Sequence, residues 1–362
     1  MRRPGDMNEA NPPGIIVGVD THKQTHVAVA ITGLGARVAE LTICANTRGY
    51  QDLEAWASSL GAIRAFAVEG TGSYGAGLSR FLRQRGHAVH EVCRPDRRAR
   101  QQHGKTDYLD AEGAARALLS GRRAAVPKSG TNEVEMIRHL KVARDTAVKA
   151  RTQAMLTLKS LIVEAPAALR ERLEAIGGKR ALLRHLAALR PGELTNTVAS
   201  AEASLRAIAR RWLALDEEIQ SHDAHLERLV RRRTPALVEA HGIGVGTAAE
   251  MLVLVGDNSE RIRSEAALAK LCGVCPVPAS SGKTNRHRLN RSGNRQANAA
   301  LHRVVVVRMR AHAPTTDYVR RRTAEGKNKA EIIRCLKRFV VREIFRHLCA
   351  SPKPVSGCSE AA

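Results

Sequence analysis

Residues 14–31, GIIVGVDTHKQTHVAVAI, constrain the fold more than any other stretch. An apolar run ends on a carboxylate, Asp20. A polar turn follows, and then a run of alternating character from Thr25 to Ile31. The pattern predicts a buried strand, a tight turn and an antiparallel partner. Asp20 then sits at a strand end, where a rigid scaffold holds an acid in fixed geometry. A lone acid there reads first as a solvated turn residue, so a further meaning depends on what else the first 110 residues bring to it.

A third strand is expected over 36–44, a helix over 49–60 with Leu53 and Trp56 inward, a fourth strand from Arg64 to Val68 ending at Glu69, a helix to about Arg85, and a strand from His87 to Cys93. The order β-β-β-α-β-α-β is a ribonuclease-H-like layout, and open α/β sheets bind ligands at strand ends. Lys105-Thr106-Asp107-Tyr108-Leu109-Asp110 then opens a helix running to about Leu119. Asp107 and Asp110 share a face at that spacing, although acids in a first turn also suit the helix dipole. Asp20, Glu69, Asp107 and Asp110 together form the donor set of a hard cation such as Mg²⁺. Two such ions about 4 Å apart serve phosphoryl transfer. Gly70-Thr71-Gly72-Ser73-Tyr74-Gly75 matches a dinucleotide fingerprint in letters, but it follows a hairpin meander rather than opening the first βα unit.

Charge narrows the partner. Lys and Arg number 59 against 35 acids, a formal +24 over 362 residues, which points to a polyanion and most simply to nucleic acid. Aromatics are 3%, so phosphate contact is expected to outweigh base stacking. Seven scattered cysteines show no disulfide framework, Cys272-x-x-Cys275 has no second pair, and no apolar leader or membrane span is visible. A soluble protein of a reducing cytosol is expected.

Two long helices are expected next. The first, 133–162, carries Met136, Leu140, Ala143, Ala147, Ala150, Ala154, Thr157 and Leu161 as a heptad seam. The second, 202–230, carries Leu205, Ile208, Trp212, Leu215, Ile219, His222, Leu226 and Leu229. They pair with each other or with a second protomer. His241-Gly242-Ile243-Gly244-Val245-Gly246 reads as a helix-hairpin-helix turn whose amides hold a phosphate, with Gly242 and Gly244 as its glycines, or as a plain turn between packed helices. Further on, Lys283, Arg286, Arg288, Arg291 and Arg295 crowd a loop. Ser281-Gly282-Lys283-Thr284 ends like a P-loop, but Val277 stands where its first glycine belongs. A serine among such cations is a candidate nucleophile toward phosphate.

These marks, in their order, resemble the transposases of the insertion-sequence one-ten family over residues 14 to 349. They are Gly18-Val19-Asp20-Thr21-His22-Lys23, Glu69-Gly70-Thr71-Gly72-Ser73-Tyr74, Lys105-Thr106-Asp107-Tyr108-Leu109-Asp110-Ala111, Gly242-Ile243-Gly244, and Gly273-Val274-Cys275-Pro276 followed by Ser281-Gly282. Gly70 departs from the family pattern, where Ala is expected.

The resemblance implies a RuvC-like first domain whose Asp-Glu-Asp-Asp tetrad falls on Asp20, Glu69, Asp107 and Asp110 and binds Mg²⁺. It implies a nucleophilic serine at Ser281, with Ser280 adjacent and Ser292 more remote. It also implies DNA as donor and target, a structured noncoding guide RNA, and dimers or tetramers formed through a coiled coil. The implied organisation is a tail over 1–13, a catalytic domain over 14–125, oligomerisation helices over 130–232, a C-terminal transposase domain over 235–350 and a tail over 351–362. The expected class is therefore α/β plus all-α, with Lys105 and the 283–295 loop on phosphates. The rivals are a junction nuclease that forms no covalent link, an actin-like ATPase or sugar kinase, and a non-catalytic nucleic-acid-binding protein.

Overall fold

The computed structural model describes residues 14–92, 106–121, 124–283 and 287–349. The first strand and its neighbours form as their alternation dictates. Strands β1 (Ile15–Thr21), β2 (Thr25–Ile31) and β3 (Arg37–Cys44) make an antiparallel meander, followed by helix α1 (Thr47–Ser59) and strand β4 (Ile63–Glu69). Asn46 starts α1 by accepting the Gly49 N–H at 2.9 Å. Helix α2 (Ala76–Gln84), strand β5 (Val89–Val92), helix α3 (Asp107–Leu119) and the two-residue strand β6 (Ala124–Ala125) complete this part.

The sheet order is β3-β2-β1-β4-β5-β6. β4 runs parallel to β1 and β5 parallel to β4, while β6 is antiparallel. Period-two alternation divides the sheet into two faces. Val17, Val19, Phe66 and Val68 pack with Leu53, Leu78 and Leu82 of α1 and α2. The other face buries Ile16, Val29 and Ile31 with Ala111 and Ala115 of α3, and Ala67 and Val92 with Ala114.

The chain divides into two compact units, one of residues 1–132 with 255–263, the other of 133–254 with 264–362. The first recovers its distant segment through Asn258. The Asn258 side chain donates to the Pro127 carbonyl at 2.9 Å and accepts the Ser129 N–H at 3.0 Å.

The second unit is mainly helical. Its long helices α4 (Glu133–Glu164) and α7 (Thr197–Arg233) flank α5 (Ala167–Glu174) and α6 (Lys179–Ala188). Ion pairs join Glu133 to Arg232, Arg144 to Asp223 and Arg151 to Asp216. One number rises as the other falls, so the two helices pair antiparallel within the chain. Leu158, Ile162, Leu205, Ala209 and Trp212 build their common core.

The buried row of α4 is Val134, Ile137, Ala147, Ala154, Leu158 and Ile162. The expected seam is offset from it, because Met136, Ala150 and Thr157 are exposed. The row expected on α7 lies close to the observed one, with Leu205, Trp212, Ile219 and Leu226 buried.

Short helices α8 (Pro235–Glu239), α9 (Val245–Val255) and α10 (Glu265–Leu271) follow, then a ribbon of β7 (Val277–Pro278) and β8 (His287–Arg288). Helices α11 (Arg295–Ala311), α12 (Ala313–Ala324) and α13 (Lys329–Leu348) close the fold. Among the described residues no helix is long and apolar enough to cross a membrane.

Candidate active site

The acids reach one end of the sheet by three routes. Asp20 is the penultimate residue of β1, 8% exposed and opposite Val27 of β2. Val19 registers with Val68 of the parallel β4, so the next positions, Asp20 and Glu69, stand level on adjacent strands. Alternation sends both away from the Val19–Val68 core and toward the face that α3 covers. The Thr21 hydroxyl donates to the Glu69 carbonyl at 2.9 Å and ties the two strand ends. Gly70 then turns the chain at φ +67, a left-handed conformation in which Ala is strained.

Helix α3 supplies the other two acids. Thr106 accepts the Leu109 N–H at 3.3 Å as its N-cap, so Asp107 and Asp110 fall in the first turn. The helix lies unusually close to β1. A Cβ built on Gly18 would stand 1.9 Å from the Ala111 carbonyl oxygen and 2.7 Å from the Ala115 nitrogen. Gly18 and the small Ala111-Ala114-Ala115 face thus set how near the acidic turn comes to Asp20.

At the meeting point, Asp20, His22 and Asp107 each offer one ligand atom, all within 4.8 Å of one another. His22 Nε2 lies 3.2 Å from an Asp20 oxygen and 3.4 Å from an Asp107 oxygen. Two atoms held cis on an octahedral ion at about 2.1 Å are about 3.0 Å apart, so this spacing suits a shared divalent cation. Burial pushes the Asp20 carboxyl above its ordinary value. The charges of Asp110 and Asp107 add to the rise, while His22 and the Thr21 amide oppose it. Asp110 is itself buried. Glu69 and Asp110 stand on this face without joining the three-atom set.

His22 was not among the acids singled out from sequence. The signal was its place two residues beyond Asp20 in the β1–β2 turn, where its N–H donates to the Thr25 carbonyl at 3.0 Å. Lys105, expected on phosphate beside this site, lies outside the described residues.

The comparisons with known proteins bear on the same stretches. A family model described as "Transposase", of the DEDD type for IS110, matches residues 17–165. A second, "Transposase IS116/IS110/IS902 family", matches residues 235–320. The chain belongs to the IS110 family of transposases. It is 32% identical over 158 residues to the "Insertion element IS110 uncharacterized 43.6 kDa protein" of Streptomyces coelicolor, covering 43% of this chain and 38% of that one. It is 30% identical over 134 residues to the "Insertion element IS900 uncharacterized 42 kDa protein" of Mycobacterium paratuberculosis, covering 36% of this chain and 34% of that one. The matched stretches thus span little more than a third of the curated relatives' length.

In this IS110-family chain, Ser281 belongs to the second unit and is exposed on the loop between β7 and β8. The loop's base is built tightly. A Cβ on Gly293 would stand 2.2 Å from the Gly273 backbone. The Asn298 side chain donates to the Cys272 carbonyl at 2.9 Å and accepts from Lys337 Nζ at 2.8 Å. Burial pushes the Cys272 thiol up to about 12, so it stays protonated at neutral pH and packs as a small apolar side chain. Lys283, Arg288, Arg291 and Arg295 are exposed on or beside this loop, and Arg286 lies outside the described residues.

In the glycine turn, Gly242 adopts φ +79, and a Cβ there would stand 3.3 Å from Arg308 Cγ of α11. Arg308 Nε donates to the His241 carbonyl at 2.7 Å, and its guanidinium pairs with both oxygens of Glu343 at 2.7 and 3.0 Å. Gly242 therefore faces its own chain, whereas Gly244 opens α9 and has nothing within 4 Å of its missing Cβ.

Proposed function

We propose that this chain is a DNA transposase that cleaves and exchanges strands by phosphoryl transfer, with a RuvC-like first unit and Ser281 as nucleophile. The reading rests above all on Asp20 and Asp107, far apart in sequence, offering ligand atoms to one cation together with His22. Asp20, Glu69, Asp107 and Asp110 are the proposed tetrad, and Mg²⁺ is the proposed ion. The bound ion would offset charge developing on the phosphate oxygens.

In the proposed step, Ser281 Oγ attacks the scissile phosphorus and a phosphoserine ester forms. The bond from phosphorus to the deoxyribose oxygen breaks, and the proton lost by Oγ balances the one that oxygen gains. Lys105, Lys283, Arg286, Arg288, Arg291 and Arg295 hold phosphates, as do the amides of Gly242 and Gly244. Donor and target DNA are the substrates, a structured noncoding RNA is the guide, and the long helices α4 and α7 carry assembly into dimers or tetramers. The formal charge of +24 supports the polyanionic partners.

The test is to trap a protein–DNA adduct on donor DNA under denaturing conditions. The wild type forms the adduct and S280A retains it, while S281A and D20N lose adduct and strand exchange together. Normal exchange by D20N overturns the reading. Cleavage that survives in S281A without an adduct replaces it with the hydrolytic junction nuclease.

A further inference from the structure

A cavity of about 660 Å³ opens in the second unit between the start of the β7 loop, β8 and helices α12 and α13. Its size falls within the range of small-ligand pockets, about 300–1,000 Å³. Two of the chain's few aromatic rings meet in it. Tyr318 and Phe339 pack edge to face at 5.3 Å and 89°, and the Arg342 guanidinium lies 5.8 Å from the Phe339 ring centre. The ring is thus held in place, yet Phe339 remains 44% exposed and Leu289, across the cavity, 59% exposed.

Beside the rings and the Gly273–Pro276 stretch, the wall also carries cations. Arg288, Lys327 and Arg334 line the cavity and form no ion pair among the described residues. The single acid among the lining residues, Glu331, is occupied in the capping box with Asn328. A part-exposed aromatic ring beside cations without acidic partners has the chemistry of a nucleotide site: the ring takes a base and the cations take the flanking phosphates.

We infer that this cavity receives an unpaired nucleotide of a DNA strand, stacked against Phe339 with its phosphates on Arg288, Lys327 and Arg334. The inference rests on the DNA-transfer reading above and adds to it a place where DNA is read unpaired. A paired base offers only its edge to a ring, so the cavity distinguishes distorted from regular duplex.

The test uses the full chain with chelator present, so that binding does not depend on the acid cluster. The probes are a labelled duplex with one unpaired thymidine, the same duplex fully paired, and an RNA duplex with the same bulge. The wild type binds the bulged DNA more tightly than the paired DNA. F339A weakens bulged binding by about tenfold, as expected for the loss of one base–aromatic stack, and changes paired binding less than twofold. F339W restores the preference. A 5-iodouracil at the bulge photocrosslinks to a peptide bearing Tyr318, Phe339 or Leu289.

The inference is overturned if F339A folds and keeps the preference, if the crosslink maps elsewhere, or if only the RNA bulge is preferred. It is also overturned if F339A dissociates an oligomer without altering DNA binding, since a second copy then fills the cavity. Because D20N and S281A leave this cavity intact, loss of the transfer reading shows in their strand exchange and not in this preference.

Discussion

Substituting Gly18 by Ala asks whether the contact between α3 and β1 sets the geometry of the acids. The new methyl would meet the Ala111 carbonyl oxygen at 1.9 Å and the Ala115 nitrogen at 2.7 Å. Both are helix backbone, so no rotamer change relieves the clash. Restoring an ordinary contact of 3.4 Å requires the first turns of α3 to retreat by about 1.5 Å. Overpacking of this kind costs about 1–3 kcal/mol. Asp107 and Asp110 move with the helix. A site that holds its ligands at about 2.0–2.1 Å does not absorb such a displacement, and a misplacement of about 1 Å is enough to cost about 10²-fold in activity. The assay pairs urea denaturation with calorimetric titration of Mg²⁺ and Mn²⁺. The control is G72A, whose added Cβ has nothing within 4 Å and is expected to stay within about 0.5 kcal/mol of wild type. G18A with wild-type stability and wild-type ion affinity would refute the argument.

Three further outcomes follow from the same geometry. Because burial and like charges raise the Asp20 carboxyl, its protonated form favours the fold below the unfolded value of about 3.9 and that contribution is lost as pH rises through the folded value. D20N, measured with chelator, should therefore be more stable than wild type at pH 7, with the gap closing as pH falls through the raised folded value and closed below about 3.9; a gap that does not vary with pH would sink this. H22A should lose more affinity for Mn²⁺ than for Mg²⁺, since imidazole nitrogen suits transition metals better than Mg²⁺, whereas unchanged affinity for both ions in calorimetry would show that His22 is no ligand. R308M should cost about 3 kcal/mol in a denaturant titration by leaving Glu343 and the His241 carbonyl without their donor; burial raises the Glu343 carboxyl, but Arg308 outweighs it and holds it below the usual range, so the pair's stabilisation is lost on acidification, and an R308M protein as stable as wild type at neutral pH would contradict this.

Much of the first unit was legible because its signals are local. The alternation of 15–31 fixes strand, turn and facing, and Thr106 ahead of two acids marks the start of α3. Glu69 closing an apolar run was readable for the same reason. What escaped depends on contacts distant in sequence or on residues without a preference. Nothing near Gly18 announces that Ala111 packs on it. His22 reads as one more polar turn residue until Asp107 is brought to within 3.4 Å of it. Along α4, alanines satisfy neighbouring rows equally well, so Ala147 and Ala154 fitted the expected seam while Met136 and Thr157 in it stand in solvent. The two-residue strands β6, β7 and β8 are too short to carry a period.

The hydrogen bonds that Asn258 makes with the Pro127 carbonyl and the Ser129 N–H make residues 133–254 an excursion that departs and returns at a single seam. Insertions are best tolerated where both junctions lie close together. Changes of length near its two junctions therefore leave the closure of the acid-bearing sheet in place, but the excursion shares the second unit with 264–362, where Arg308 binds the His241 carbonyl, and is not exchanged alone. Cutting the gene at residue 132 removes part of that closure, and a fragment meant to isolate the acids needs the 255–263 strip supplied back to it.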